Sequence, residues 1–101
     1  MKKVYVIHDT GYFDLADAAK FGDLKPIFVN KVSMLDGDNL LDTIENKIKD
    51  FKEGDYILCI GSPILILLTG FILGEMDINE INYLTWDKKY KTYVRLVHKV
   101  Q

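Results

Sequence analysis

Two short segments of this chain carry the residue types that could do chemistry. The first is His8-Asp9-Thr10-Gly11 and the second is Gly61-Ser62-Pro63. A histidine beside a carboxylate can act as a general base, so His8 and Asp9 are candidates for a small hydrolase. A serine that begins a helix offers its hydroxyl and the free N–H groups of the first turn to an anion, although Pro63 removes one of those groups.

The motifs that would assign a reaction to these segments are incomplete. No Lys-Ser/Thr pair follows Gly61, as a P-loop requires, and Ser62 lacks the flanking glycines of a nucleophile elbow. His98 is the only other histidine, so a multi-histidine metal site is disfavoured. A tight strand-to-helix turn at Ser62, and an ordinary strand end at His8, therefore stay open as alternatives to a binding site.

Two further features have simple structural explanations. Cys59 lies in the apolar run 56–60, and position 65, where a phosphatase loop needs arginine, is Leu65, so we predict a buried and inert thiol. Asp36 and Asp38 could hold a hard cation, but no third fixed ligand accompanies them. Helix capping is favoured for this pair, and we expect neither a metal nor a cofactor.

The C-terminal residues carry a local positive charge. Residues 86–101 contain five Lys or Arg and one Asp, whereas the whole chain has a formal net charge of -2. Period-two spacing places one set of residues on a single strand face: Lys91, Tyr93, Arg95, Val97 and Lys99. This face could bind phosphate or nucleic acid, but a charged edge strand that resists aggregation is favoured.

Alternating apolar patterns predict strands and helices in series along the chain. The predicted strands are 3–8, 26–30, 56–60, 81–86 and 90–100, and the predicted helices are 14–22, 38–54 and 64–73. Such a series predicts a small three-layer α/β sandwich with a mostly parallel sheet in the order 2-1-3-4-5 and a C-terminal antiparallel hairpin. Ligands bind where the strand order reverses, which brings the two segments together at the ends of the first and third strands.

The uncharged segment 56–74 is nearly as long as a membrane span. Gly61-Ser62-Pro63 interrupts it with a natural N-cap serine and a natural first-turn proline, so we predict a buried strand followed by a helix and no membrane contact. The helix Ile64–Leu73 is apolar on nearly every face, and Gly70 and Gly74 allow close approach. A homodimer through this helix is favoured, and cover by the C-terminal hairpin is the alternative.

Length and composition limit the class of protein. A chain of 101 residues predicts one domain, 1–101, with its own core, and 49% apolar residues disfavour disorder. A pI near 5.6 disfavours nucleic acid as the partner. The single cysteine excludes an internal disulfide, and the start of the chain passes into a strand pattern with no signal-peptide cleavage site, so we expect a cytoplasmic protein.

Three segments resemble a family of small, uncharacterised proteins encoded by tailed bacteriophages. The segment 13–22 is similar to the first helix of that family, 55–63 to its central strand and turn, and 84–90 to its C-terminal hairpin. The family's turn usually has Gly-Asp-Pro, whereas this chain has Ser62 in the middle position. The resemblance implies a phage or prophage accessory gene that acts in the host cytoplasm, and it brings no known reaction.

Three functions remain, in order of preference. The first is a non-enzymatic accessory protein that binds itself or a host protein, including one that opposes host defence. The second is a binder of a small phosphorylated ligand, such as a nucleotide signal, between the segment 8–11 and Gly61-Ser62. A small hydrolase that uses His8 and Asp9 comes last, because no complete set of nucleophile, base and oxyanion donors is visible.

Overall fold

Five strands form one sheet in the order β2-β1-β3-β4-β5. In the computed structural model, which describes residues 1–99, the strands are β1 (Lys3–Asp9), β2 (Asp23–Val29), β3 (Tyr56–Leu58), β4 (Glu80–Asp87) and β5 (Thr92–Lys99). β1 pairs in parallel with β2 and β3, and β3 with β4, whereas β5 returns antiparallel to β4. The predicted order, the parallel sheet and the hairpin are confirmed. The predicted end of the last strand at Val100 lies outside the described residues.

Two α-helices and one short 3-10 turn connect the strands. They are α1 (Gly37–Ile48), α2 (Pro63–Glu75) and the 3-10 turn Ala18–Phe21. Of the two predicted capping residues, Asp36 and Asp38, it is Asp36 that caps α1, because its carboxylate accepts a hydrogen bond from the N–H of Asn39 at 3.4 Å. The helix predicted for 14–22 is shorter. Asp14 accepts from the N–H of Ala16 at 3.0 Å and forms a local turn that competes with helical bonding.

The two faces of the sheet are covered unequally. Tyr5 and Ile7 of β1 belong to the larger apolar cluster, which includes the buried residues of both α-helices. Val4 and Val6 point to the opposite face, where the segment around the 3-10 turn and Tyr93 of β5 complete a smaller cluster. Both α-helices therefore lie on one face, and the third layer is only this short segment.

The uncharged segment 56–74 folds as a short strand, a turn and a helix, as predicted. β3 has three residues and α2 has thirteen. Four residues bury the inner side of α2: Leu65, Thr69, Ile72 and Leu73. No helix within residues 1–99 combines the length and apolar character needed to cross a membrane.

A buried carboxylate joins two segments at the end of the sheet where β1 and β3 begin. Asp55 is 6% exposed and lies just before β3. One of its oxygens accepts from the N–H of Lys3 at 3.1 Å, and the other accepts from the N–H of Lys52 at 3.0 Å. Asp55 thereby ties the start of β1 to the loop after α1, a role that no sequence pattern indicated.

Candidate functional site

The turn after β3 packs directly on the end of β1. Gly61 has a φ of +101°, a left-handed conformation that glycine adopts without strain. A Cβ atom at Gly61 would clash with the Cβ atom and the carbonyl oxygen of His8. The two segments singled out from the sequence therefore meet, and they meet through direct backbone contact at His8.

His8 holds three segments together through its imidazole ring. The residue is 6% exposed; its Nδ1 accepts from the N–H of Ser62 at 3.2 Å, and its Nε2 lies 2.5 Å from the carbonyl oxygen of Asn30. Because Nδ1 accepts, the proton of the neutral ring lies on Nε2 and is donated to Asn30. Asp9 bonds elsewhere, accepting from the N–H of Gly11 at 3.1 Å. Both imidazole nitrogens thus make structural bonds, and neither is paired with Asp9.

The start of α2 presents fewer anion donors than the sequence indicates. Ser62 occupies the N-cap position, but its hydroxyl makes no bond to the helix backbone and instead lies 3.9 Å from the sulfur of Met34. The predicted N-cap position of Ser62 is confirmed, but its side chain does not cap the helix, because the hydroxyl contacts the loop before α1. Pro63 is the first helical residue, as predicted, and has no N–H. Since the Ser62 N–H is donated to His8, the first-turn donors left are those of Ile64 and Leu65.

A cavity of about 510 Å³ opens beside His8, between the ends of β1 and β2. It is lined by His8, Thr10, Tyr12, Asn30, Lys31 and Val32. Two of the predicted ligand-binding residues, His8 and Thr10, line this cavity, and Asp9, Gly11, Gly61 and Ser62 do not. Sequence reasoning missed Asn30 and Lys31, although a polar and a basic residue directly after a strand are a recognisable signal. Ligand binding at the predicted residues stays a prediction.

The aspartates at the start of α1 serve the helix. Asp36 caps it, and Asp38 lies in its first turn, where a negative charge interacts favourably with the helix dipole. Across residues 1–99, no group of three or more His, Cys, Asp or Glu side chains is arranged to hold a metal ion.

Cys59 is exposed, so the prediction of a buried thiol is wrong. β3 ends at Leu58, and Cys59 borders an apolar groove of about 200 Å³ between α2 and β4. Gly70 lines the same groove and has no side chain that could cover the thiol. The surrounding apolar groups still raise the pKa of the Cys59 thiol by desolvation.

The outward side of α2 is apolar and open. Ile64, Leu67 and Phe71 recur at helical spacing and are 48%, 71% and 60% exposed. Gly70 and Gly74 lie beside them, with no atom within 4 Å of where a Cβ atom would be. We call these five residues the α2 outer face. The expected all-round apolar helix is confirmed, and the described part of the C-terminal hairpin, up to Lys99, does not cover this face.

The basic side chains of the hairpin lie along an edge of the sheet. β5 is the last strand in the order, and Arg95 and Lys99 on it are exposed. Tyr93, on the same face, is 5% exposed and packs in the smaller cluster. Burial of this ring leaves a charged edge of the kind that resists strand pairing with another chain.

Comparison with known proteins relates the chain to proteins of bacteriophages. A family model with the description phage Pam3 gp32-like protein matches residues 2–100. Neither the curated proteins nor the solved structures contain a match.

Proposed function

Since the chain belongs to the phage Pam3 gp32-like protein family, we propose that it is a non-enzymatic accessory protein that acts by binding another protein through the α2 outer face. The exposure of Leu67 and Phe71, at 71% and 60%, carries this proposal. Contiguous exposed apolar surface on a small domain is typical of a protein interaction site. No charged residue lies on α2 before Glu75. A partner therefore meets an unbroken apolar stripe.

A second copy of the chain is the partner that fits this face best. Each edge of the sheet carries residues that oppose strand pairing: Pro26 lies in β2, and Arg95 and Lys99 lie in β5. The α2 outer face, in contrast, has no charge that would repel its own copy. Gly70 and Gly74 allow two helix backbones to approach closely. A two-fold axis through the face covers the same residues in both copies, as closed dimers require.

Light scattering during size-exclusion chromatography tests self-association through this face. Burying a leucine contributes about 1.5–3 kcal/mol, and the two-fold axis uses Leu67 twice. Leu67→Lys is therefore expected to weaken the dimer by more than about 100-fold and to give a monomer where the wild type is a dimer. Leu35→Lys is the matched control, because Leu35 is 96% exposed and lies outside α2. A monomeric wild type at hundreds of micromolar would overturn self-association, as would a dimer that survives Leu67→Lys.

Opposition to host defence is a further form of the same proposal. In that case a host protein takes the place of the second copy on the α2 outer face. Leu67→Lys is then expected to abolish binding of the purified host protein, and Leu35→Lys to preserve it. Loss of binding in both variants, or in neither, would exclude the α2 outer face as the contact.

A second function is supported by the cavity beside His8. Its volume of about 510 Å³ lies within the range of small-molecule sites, and Lys31 supplies a cation while Thr10 supplies a hydroxyl. A small phosphorylated ligand is the class that this lining favours. A nucleotide that raises the melting temperature of the wild type and of Lys88→Ala, but not of Lys31→Ala, would support this function. A panel of nucleotides and cyclic nucleotides without any such shift would count against it.

A further inference from the structure

We infer that a second cavity, on the face of the sheet opposite α2, is a binding site for an organic cation. Its volume is about 310 Å³, and it is lined by Phe13, Asp14, Ile60, Trp86 and Tyr93. We call it the aromatic cavity. Its lining combines three aromatic rings with one carboxylate, the chemistry that recognises guanidinium and alkylammonium groups.

The rings of the aromatic cavity form a corner. Trp86 and Tyr93 lie with their ring centroids 5.0 Å apart and their planes at 71°. Trp86 is 44% exposed and Phe13 is 47% exposed, so both rings have surface available to a ligand. The hydroxyl of Tyr93 donates to the carbonyl oxygen of Asp14 at 3.4 Å and holds the loop of Phe13 against β5. The corner is therefore formed by the folded chain itself.

The charges around the aromatic cavity favour a cation over a neutral or anionic ligand. Asp14 lines the cavity, and Asp17 lies near the Tyr93 hydroxyl. Desolvation raises the pKa of Tyr93, and the charges of these two carboxylates raise it further. Lys20 lies 3.7 Å from Asp17 and offsets part of that charge. Arg95 follows Tyr93 by two positions on the same face of β5, but it does not line the cavity.

Within residues 1–99, no cation of the protein is placed over the rings of the aromatic cavity. Within the part of the chain that the structure describes, the cation placed over an aromatic ring is Lys89, which lies 5.4 Å from the centroid of Tyr90. Tyr90 is outside the aromatic cavity. A cation from another molecule therefore displaces no cation of the protein when it binds at Trp86 and Phe13.

Tryptophan fluorescence gives a direct assay, because Trp86 is the only tryptophan in the chain. Choline is the probe for a free cation, and 3,3-dimethylbutan-1-ol is its neutral isostere. A peptide with one central arginine is the probe for a protein side chain, and the same peptide with citrulline is its neutral control. All titrations keep the ionic strength constant with sodium chloride. We expect a saturable change of Trp86 emission with choline or with the arginine peptide, and a response at least about tenfold weaker, or 1.4 kcal/mol, with the matching neutral compound.

The choline titration and the arginine-peptide titration distinguish the two possible sources of the cation. Saturation by choline assigns a free small molecule, and saturation by the arginine peptide alone assigns a protein side chain. Equal responses to charged and neutral compounds would overturn the inference, and so would the absence of saturation by every probe.

Two variants test the residues that form the aromatic cavity, and a third is their control. Asp14→Asn removes the charge but retains an oxygen that can accept from the N–H of Ala16, so the turn is expected to persist. Phe13→Leu retains an apolar side chain and removes the ring. Both are expected to weaken cation binding about tenfold, whereas Asp42→Asn, an exposed carboxylate on α1, leaves it unchanged. Wild-type affinity in Asp14→Asn, with unchanged unfolding by urea, would contradict the assignment.

Discussion

Replacing His8 by leucine tests the role of the imidazole as a structural link. Leucine retains an apolar side chain beneath Gly61, but it removes both hydrogen-bonding nitrogens. The N–H of Ser62 then loses its acceptor, and the carbonyl oxygen of Asn30 loses its donor. Asn30 is exposed, so water can replace the lost donor there, whereas Ser62 is only partly exposed. The loss in the free energy of unfolding therefore comes mainly from the Ser62 N–H, which is left without an acceptor.

We expect His8→Leu to lower the free energy of unfolding by about 2 kcal/mol, the middle of the range for a buried donor left without an acceptor. For a domain of this length, that corresponds to a fall of roughly 10 °C in melting temperature. Urea unfolding followed by Trp86 emission and by far-UV circular dichroism measures the change, and the two probes must agree for a two-state analysis. The slope of the free energy against urea should stay the same, because the folded surface changes little.

His98→Leu is the matched control for this experiment. His98 is exposed, and its Nε2 lies 2.8 Å from the hydroxyl oxygen of Tyr83 at the edge of the sheet. We expect this exposed substitution to change stability by less than about 0.5 kcal/mol. If His8→Leu is as stable as the wild type, or loses no more than His98→Leu, the link through His8 is refuted.

Three other predictions concern separate parts of the fold. Asp55→Ala should cost about 1–3 kcal/mol in urea unfolding, because the half-buried N–H of Lys3 loses its acceptor, whereas water can replace the acceptor of the exposed Lys52; a change below about 0.5 kcal/mol would contradict this. Cys59 should react fully with a thiol reagent in the native state, and its rate should keep rising to a higher pH than that of a free thiol, because desolvation raises its pKa; protection from the reagent would show that the thiol is covered. The pKa of Tyr93 is also raised, so the unfolded phenol ionises first, at about pH 10. Stability should therefore be intact below pH 10 and decline above it, and the decline should be smaller in Tyr93→Phe; equal declines would remove Tyr93 as its cause.

The order of the strands was predictable because each element has a local pattern and the rules of connection are strict. Apolar runs that alternate with segments of helical periodicity predict a parallel sheet, and right-handed crossovers limit the possible orders of its strands. The cap of α1 at Asp36 and the first-turn proline of α2 are likewise local signals. These features depend on a few neighbouring residues, so a sequence pattern contains them.

The details of the site depend on contacts between distant segments, which the patterns do not contain. The bond of His8 to Asn30 requires the chain to turn back after β2. Asn30 makes this turn with a left-handed φ of 59°. The hydroxyl of Ser62 does not cap its own helix, because it contacts the sulfur of Met34. Cys59 is exposed because β3 ends one residue earlier, at Leu58. Each of these outcomes is decided by tertiary packing.

Intermolecular contacts at the α2 outer face are the most direct test of the proposed function. Isotope-filtered nuclear Overhauser spectroscopy on a mixture of labelled and unlabelled protein detects protons of one copy close to protons of another. We expect cross-peaks from the methyl groups of Leu67 and Ile64 in labelled copies to the ring of Phe71 in unlabelled copies, and we expect Leu67→Lys to remove them. Intermolecular cross-peaks confined to β5, or none at a concentration where the protein is a dimer by light scattering, would contradict a dimer through the α2 outer face.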